Sequence, residues 1–131
     1  MRHLNGGTYT KTATSGAQYA TFFARASPNT GAEDHAWLAP CAGILKNLYI
    51  NSHIVPGGTA TVQIFLYKLG TGDTAMTCTL TAAITDISDT THPITVAKGE
   101  KYCLRFVYTN TPAALAITDS LEFYPKPEGV A

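Results

Sequence analysis

The feature that most constrains the fold of this chain is a period-two alternation of apolar and polar residues, interrupted at short intervals by turn-forming residues. In the segment ATVQIFLYK (60–68), the aliphatic side chains share one face, and Thr61, Gln63, Phe65 and Tyr67 share the other. Successive side chains point to opposite faces of a strand, whereas an amphipathic helix repeats its apolar positions at intervals of three and four. Helix patterns of that kind are nearly missing from the sequence. The alternation therefore predicts an all-β protein.

Turn signals separate the alternating segments. The stretches VPGG (55–58) and GTGD (70–73), together with the pair Lys98-Gly99, supply the residues that tight chain reversals favour. The pattern predicts strands near residues 7–13, 18–25, 35–38, 43–51, 59–68, 75–81, 83–87, 93–97, 100–109 and 115–124. So many short strands, with no helix between them, predict a β-sandwich that is jelly-roll-like rather than immunoglobulin-like.

The sequence divides unevenly along its length. Residues 35–125 show the dense strand-and-turn rhythm of one jelly-roll domain, and residues 126–131, which include a proline, are expected to be a C-terminal tail. Residues 1–34 are rich in small and polar residues, and they predict either an extended arm or edge strands that complete the sandwich. Aromatic residues in and near this segment are candidate contacts to a partner; they are Tyr9, Tyr19, Phe22, Phe23 and Trp37. The alternative is that residues 19–23 form another core strand.

Composition argues against several classes of partner. Nine basic and nine acidic residues cancel, and only 14% of the residues are charged. A neutral chain without a basic stripe predicts no nucleic-acid partner and no anionic membrane. Lys101 and Arg105 lie on the strand face opposite Tyr102 and Phe106, so they do not build a base-stacking platform. Apolar runs are too short to span a bilayer, and no signal peptide is evident, so we expect a soluble protein made in the cytoplasm.

No catalytic or metal motif stands out. Nucleophile-elbow, P-loop and HExxH patterns are missing, which predicts a protein that is not an enzyme, although scattered aspartates could still converge as a glycosidase pair. We weighed two local sites against ordinary turns: Glu33, His35 and Trp37 on one strand face, and a calcium loop with Asp86 and Asp89. The turn interpretation is simpler for both, so no cofactor or metal is predicted. The three cysteines are expected to be reduced, buried thiols.

Several strand-and-turn motifs resemble small all-β proteins encoded among the structural genes of tailed bacteriophages. The resemblance covers about residues 36–125. Its motifs are Pro40-Cys-Ala-Gly43 leading into Asn47-Leu-Tyr49, Pro56-Gly57 before the strand 62–66, and the segments 74–80, SDTTH (88–92), VAKGE (96–100) and 108–114. Similar proteins are jelly-roll virion components, either head decoration subunits or fibre and tail-tip modules, and they are commonly trimeric.

The resemblance implies a phage virion structural protein. Its leading form is a capsid decoration (cement) protein that binds the outer capsid surface and reinforces it. The implied partners are the major capsid protein and copies of the chain itself in a homotrimer, and the implied location is the capsid surface after synthesis in the host cytoplasm. The alternative is a receptor- or glycan-binding module of a tail or head fibre, in which Trp37 or a tyrosine would stack on a sugar ring.

Overall fold

The structure, a computed structural model, describes residues 2–5, 9–10, 16–22, 31–53, 56–81, 83–110, 112 and 116–126. These residues form β-strands and a single turn of 3-10 helix, Ala32–His35. The strands are β1 (Arg2–Asn5), β2 (Tyr9–Thr10), β3 (Gly16–Ala20), β4 (Trp37–Leu38), β5 (Gly43–Ser52), β6 (Thr61–Lys68), β7 (Gly72–Leu80), β8 (Asp86–Asp89), β9 (Ile94–Val96), β10 (Lys101–Thr109) and β11 (Ala116–Pro125).

The strands form two antiparallel sheets that pack face to face. Sheet 1 has the order β1-β11-β5-β8, with β2 also paired to β11 and β9 to β5. Sheet 2 has the order β3-β10-β6-β7, with β4 also paired to β10. The chain passes back and forth between the sheets, and this strand order is that of a jelly roll, which is built from two Greek keys. The predicted all-β, jelly-roll-like sandwich is confirmed.

The core lies between the sheets and is formed by the faces that the alternation predicted. In β10, Tyr102, Leu104, Phe106 and Tyr108 are buried. Other side chains of the same core come from β6 and β7 beside β10 in sheet 2, and from β5 and β11 in the facing sheet 1: Val62, Ile64, Leu66, Met76, Leu80, Leu45, Leu48, Ile50, Leu121 and Phe123. Cys103 lies on the opposite face of β10 and is also fully buried, as expected for a thiol that packs as a small apolar side chain. Its strand partner Tyr67 lies on the same outward side.

Two glycines in the motifs that carry the phage resemblance have structural roles in the fold. Gly99 has a φ of 87°, a left-handed conformation that glycine adopts without steric cost. At Gly43, a Cβ atom would lie 2.4 Å from the carbonyl oxygen of Tyr124 and 2.7 Å from the Phe123 ring. The glycine therefore permits the close approach of β5 and β11. These motif glycines serve the fold.

The described parts of the N-terminal segment lie in the two sheets. β1 pairs with β11, and β3 pairs with β10 from Gly16↔Tyr108 to Ala20↔Leu104. Gln18 and Ala20 are buried, as is Phe22 just after β3. These pairings correspond to the edge-strand alternative for residues 1–34. Within the described residues, the predicted strand 7–13 is only Tyr9–Thr10, β1 was not predicted, and β3 ends at Ala20, so the prediction of a strand at 18–25 was wrong at both ends.

Candidate functional site

Of the aromatic residues predicted to contact a partner, Phe22 belongs to the core of the chain, and Trp37 is partly buried and packs against that core. Phe22 is fully buried, and its ring centroid lies 5.6 Å from that of Trp37. The Trp37 ring in turn packs edge-on against Phe123, with centroids 5.1 Å apart. This cluster joins residues near the N-terminal strands to β11. Phe22 and Trp37 thus bury most of their aromatic surface within the chain, where it contributes to the stability of the sandwich.

The other three predicted contact residues have different surroundings. Tyr19 is half-buried on the outer face of sheet 2, where its ring packs edge-on against Tyr67 at 5.1 Å. Tyr9 lies in β2, where its backbone pairs with Ile117. Phe23 lies outside the described residues. The structure therefore does not bring the five candidates together on one surface.

The ligand pocket considered around Glu33, His35 and Trp37 required a strand through all three residues, and the structure instead has the turn that the simpler interpretation predicted. Residues Ala32–His35 form a 3-10 helix, and β4 begins only at Trp37. Glu33 is exposed while His35 is buried, so the two side chains do not share a strand face. The turn at Ala32–His35 contacts β3 and β10 of the sandwich, and it does not present a common set of ligands.

Asp86 and Asp89, the calcium alternative, lie on opposite faces of β8. Asp86 is exposed and accepts a hydrogen bond from Asn51 Nδ2 at 2.7 Å. Asp89 is buried and faces the interior. A single ion could not be bound by both carboxylates without rebuilding the strand. No group of three or more metal-binding side chains occurs among the residues that the structure describes.

Asp89 joins the open edges of the two sheets. Its Oδ2 accepts the backbone N–H of Thr77 in β7 at 3.0 Å, and its Oδ1 accepts that of Thr91 at 3.0 Å. The ring Nδ1 of His92 lies 2.9 Å from Oδ2. Burial by itself would raise the pKa of Asp89, but the two N–H groups and the His92 ring outweigh it and lower that pKa below its usual value. The SDTTH motif is thus a structural corner of the jelly roll.

Because the carboxylates of Asp86 and Asp89 already bond to neighbouring groups, we expect stability to be independent of divalent metal. Excess chelator should leave the thermal unfolding midpoint unchanged, as measured by circular dichroism with a magnesium- or calcium-supplemented sample as the comparison. A fall of roughly 10 °C, which corresponds to a couple of kcal/mol for a domain of this size, would contradict the prediction and return calcium to consideration.

The cysteines do not present an activated nucleophile. Cys78 and Cys103 are buried, and burial is the main reason that the pKa of each thiol is raised to about 12. A nucleophilic cysteine needs the thiolate form near neutral pH. Both groups are therefore protonated thiols that pack as small apolar side chains. Cys41 is half-buried.

Two basic side chains of sheet 2, those of Arg105 and Lys68, form contacts within the chain. Arg105 donates to Asp73 Oδ2 at 2.8 Å, and its guanidinium lies 5.9 Å from the centroid of the Phe65 ring. Lys68 forms an ion pair with Glu100. These pairs reduce the positive field that a phosphate backbone would meet on this sheet.

A concave groove lies on the outer face of sheet 1 and has a volume of about 640 Å³. We name it the Tyr49 groove. Its outward-facing side chains come from three neighbouring strands, and they are Tyr49 and Asn51 in β5, Asp86 and Ser88 in β8, and Thr118 and Ser120 in β11. Ligand pockets in proteins have volumes of about 300–1,000 Å³. The groove is large enough for a small organic ligand.

Strand register organises the Tyr49 groove into two rows. Tyr49 pairs with Ser88 on one side and Ser120 on the other, and Asn51 pairs with Asp86 and Thr118. The first row is thus an aromatic ring between two hydroxyls, and the second is an amide between a carboxylate and a hydroxyl. The Tyr49 side chain is 45% exposed. The arrangement offers one apolar surface surrounded by hydrogen-bonding groups.

At the opposite end of the outer face of sheet 1, the polar side chains form hydrogen bonds to one another. Glu122 Oε1 accepts hydrogen bonds from the Tyr124 hydroxyl at 2.7 Å and from Asn47 Nδ2 at 2.9 Å. Lys46 Nζ lies 4.3 Å from the centroid of the Tyr124 ring. The bonds from Tyr124 and Asn47 are the main reason that the pKa of Glu122 is lowered. These side chains form a closed surface cluster.

The Tyr49 groove was not found from the sequence. Alternation in NLYINS (47–52) could have placed Tyr49 and Asn51 on one outward face. It could not have shown that residues 86–88 and 118–120 flank them, since this neighbourhood depends on the pairing of strands far apart in the chain.

Compared with known proteins, the chain matches no family model and no curated sequence. Among the described residues, no helix has the length and apolar character needed to cross a membrane. The fold and the groove define a jelly-roll sandwich with an open polar and aromatic groove on one sheet.

Proposed function

We propose that this chain is a structural protein of a phage virion, a decoration subunit that binds the outer surface of the capsid and reinforces it. The observation that carries the proposal is the agreement between the phage resemblance and the fold. Motifs quoted for the resemblance occupy strands and corners of a jelly roll, an architecture common in viral capsid proteins. Gly43, Asp89 and Gly99, which lie in those motifs, each have a structural reason in this fold.

The exposed apolar side chains suit a subunit that contacts neighbours at both ends of the sandwich. Leu38 is 58% exposed and lies beside the start of β10, where it pairs with Lys101. Ile84 is 38% exposed and lies between β7 and β8, at the opposite end of the sheets. A reinforcing subunit must bridge neighbouring capsid proteins, and stable interfaces bury more than about 1,000 Å² in total. Low surface charge keeps the desolvation cost of such contacts small.

Copy number in the virion tests this function. A decoration protein should be present in purified particles at a level that scales with the major capsid protein, measured by quantitative mass spectrometry. Purified protein added to particles that lack it should bind them and raise the temperature at which they release DNA. A handful of copies per particle, located at the tail, would instead favour the fibre module with a receptor-binding role.

We expect the isolated chain to form a homotrimer, as the resemblance implies. Sedimentation equilibrium should give a threefold mass, because a weakly charged surface rich in Thr and Ala loses little hydration energy when it is buried. Leu38→Asp and Ile84→Asp each place a charge on one of the exposed apolar positions, and the variant whose residue lies in the subunit interface should shift the equilibrium toward monomer. A monomer at all concentrations, free and on particles, would contradict the expectation.

A further inference from the structure

We propose that the Tyr49 groove binds a neutral saccharide. This binding site goes beyond the proposed capsid role, which does not require it. The groove lies on the outer face of sheet 1, away from Phe22 and Trp37, and its lining is fixed by the strand register described above.

The Tyr49 ring supplies the apolar part of the site. A sugar ring has one or two faces of C–H groups and a rim of hydroxyls, so its recognition calls for an exposed aromatic surface with polar groups around it. Tyr49 is 45% exposed at the centre of its row, with Ser88 and Ser120 as direct cross-strand neighbours. Side chains directly opposite each other on a sheet lie about 4.5–5.5 Å apart at Cβ. The serine hydroxyls therefore lie within reach of a ring stacked on Tyr49.

The second row supplies planar polar groups in a fixed arrangement. Asn51 Nδ2 donates to Asp86 Oδ1 at 2.7 Å, and this bond orients both the amide and the carboxylate. Asn51 Oδ1 is positioned as an acceptor, and Asp86 Oδ2, which accepts a hydrogen bond from the Thr85 hydroxyl at 3.4 Å, can accept a further one. The Thr118 hydroxyl can donate or accept. Vicinal sugar hydroxyls pair well with such oriented acceptors. A site that uses fixed polar groups loses little conformational entropy on binding.

Charge distinguishes a neutral saccharide from other ligands. None of the described residues that line the groove is Lys or Arg, and Asp86 contributes a negative charge. Phosphate, nucleic acid and acidic polysaccharides would be repelled. A protein partner would need a larger apolar centre than one tyrosine, since stable interfaces have aromatic and aliphatic cores. The open groove, with one stacking surface and many hydroxyl-compatible groups, fits a chain of neutral sugars.

The test uses the full-length chain free of particles, so that its outcome is separate from that of the capsid proposal. The protein is applied to an array of neutral and acidic bacterial polysaccharides, and bound neutral oligosaccharides are then titrated in solution by NMR. We expect retention on neutral glycans, with the largest amide shifts in 49–51, 86–88 and 118–120. Tyr49→Ala should weaken binding about tenfold or more, whereas Tyr49→Phe should retain most of it.

A matched control removes an aromatic ring elsewhere. Tyr19→Ala acts on the outer face of sheet 2 and should leave saccharide affinity unchanged. Asp86→Asn should lower affinity several-fold while leaving the thermal midpoint nearly constant, because Asp86 is exposed. The proposal is overturned if no neutral glycan is retained, if acidic glycans alone bind, or if Tyr49→Ala binds as the unmodified chain does. It is also overturned if Tyr49→Ala changes only self-association, which would assign the groove to a second copy of the chain.

Discussion

Removal of residues 1–30 is expected to abolish cooperative unfolding and to cause aggregation. β3 covers the edge of β10 along Leu104–Tyr108, and β1 covers the edge of β11. Ala20 and Phe22 are both 0% exposed, so their loss opens the core to water. Loss of the Phe22 side chain alone should cost about 3–5 kcal/mol. Single domains are stable by only about 5–15 kcal/mol, so losing the Phe22 ring together with β1, β2 and β3 should unfold the protein.

Thermal unfolding by circular dichroism and size-exclusion chromatography would measure this effect. Two point variants separate core packing from surface contact within the same strand region. Phe22→Ala should lower the melting temperature strongly because the ring is buried against Trp37. Tyr19→Ala should lower it much less, because Tyr19 is half-buried on the outer face. If the truncated protein instead melts cooperatively near the full-length midpoint, residues 1–30 act as a detachable arm.

The sequence predicted well those features that depend only on the residues of a single strand or turn. Burial of one face forces a period of two, so the inward faces of β6, β7 and β10 could be derived before any pairing was known. Turn positions such as Gly99 also depend on local backbone geometry, and its φ of 87° follows from that requirement. Strands β5, β6, β10 and β11 accordingly lie within two residues of their predicted limits.

The weak parts depend on contacts between distant segments. β1 has one apolar residue, Leu4, in four, and its strand conformation comes from pairing with β11. Cys103 lies on the outward side of β10, and its burial depends on neighbours such as its partner Tyr67. The Tyr49 groove combines residues 49–51, 86–88 and 118–120, and these three segments lie thirty or more positions apart in the chain. Period and propensity contain no information about such neighbourhoods.

Asp89→Asn is expected to lower the free energy of unfolding by about 2–3 kcal/mol, since a buried donor left without an acceptor costs about 1–3 kcal/mol. The carboxylate accepts from Thr77 N–H through one oxygen and from Thr91 N–H through the other. An asparagine amide has only one acceptor oxygen, so one of these N–H groups would face an NH₂ donor. The thermal midpoint should fall by roughly 6–12 °C.

Two neighbouring variants are suitable controls for the Asp89 corner. Asp86→Asn changes the same functional group on the exposed face of the same strand and should alter stability by no more than about 0.5 kcal/mol. His92→Ala removes a ring whose side chain is 51% exposed, so its contact with Asp89 should be worth less than about 1 kcal/mol. If His92→Ala lowers the free energy of unfolding as much as Asp89→Asn does, the His92 contact stabilises this turn more than the two backbone hydrogen bonds do.

The stability lost in Asp89→Asn should depend on pH, because the charged form of Asp89 is the one that accepts both backbone hydrogen bonds. Hydrogen bonds lower the pKa of Asp89 in the folded state below its value of 3.8 in an unperturbed chain. The folded state therefore releases this proton more readily than the unfolded state, and stability rises with pH through that range. The difference in unfolding free energy between the unmodified protein and Asp89→Asn should be constant above about pH 5. It should shrink as the pH falls below the unfolded-state pKa and continue to shrink until the folded-state pKa is passed. Urea unfolding of both proteins between pH 2.5 and pH 7 would measure this difference in free energy. A difference that grows toward acidic pH would show that Asp89 is protonated in the folded protein and that the proposed hydrogen bonding is wrong.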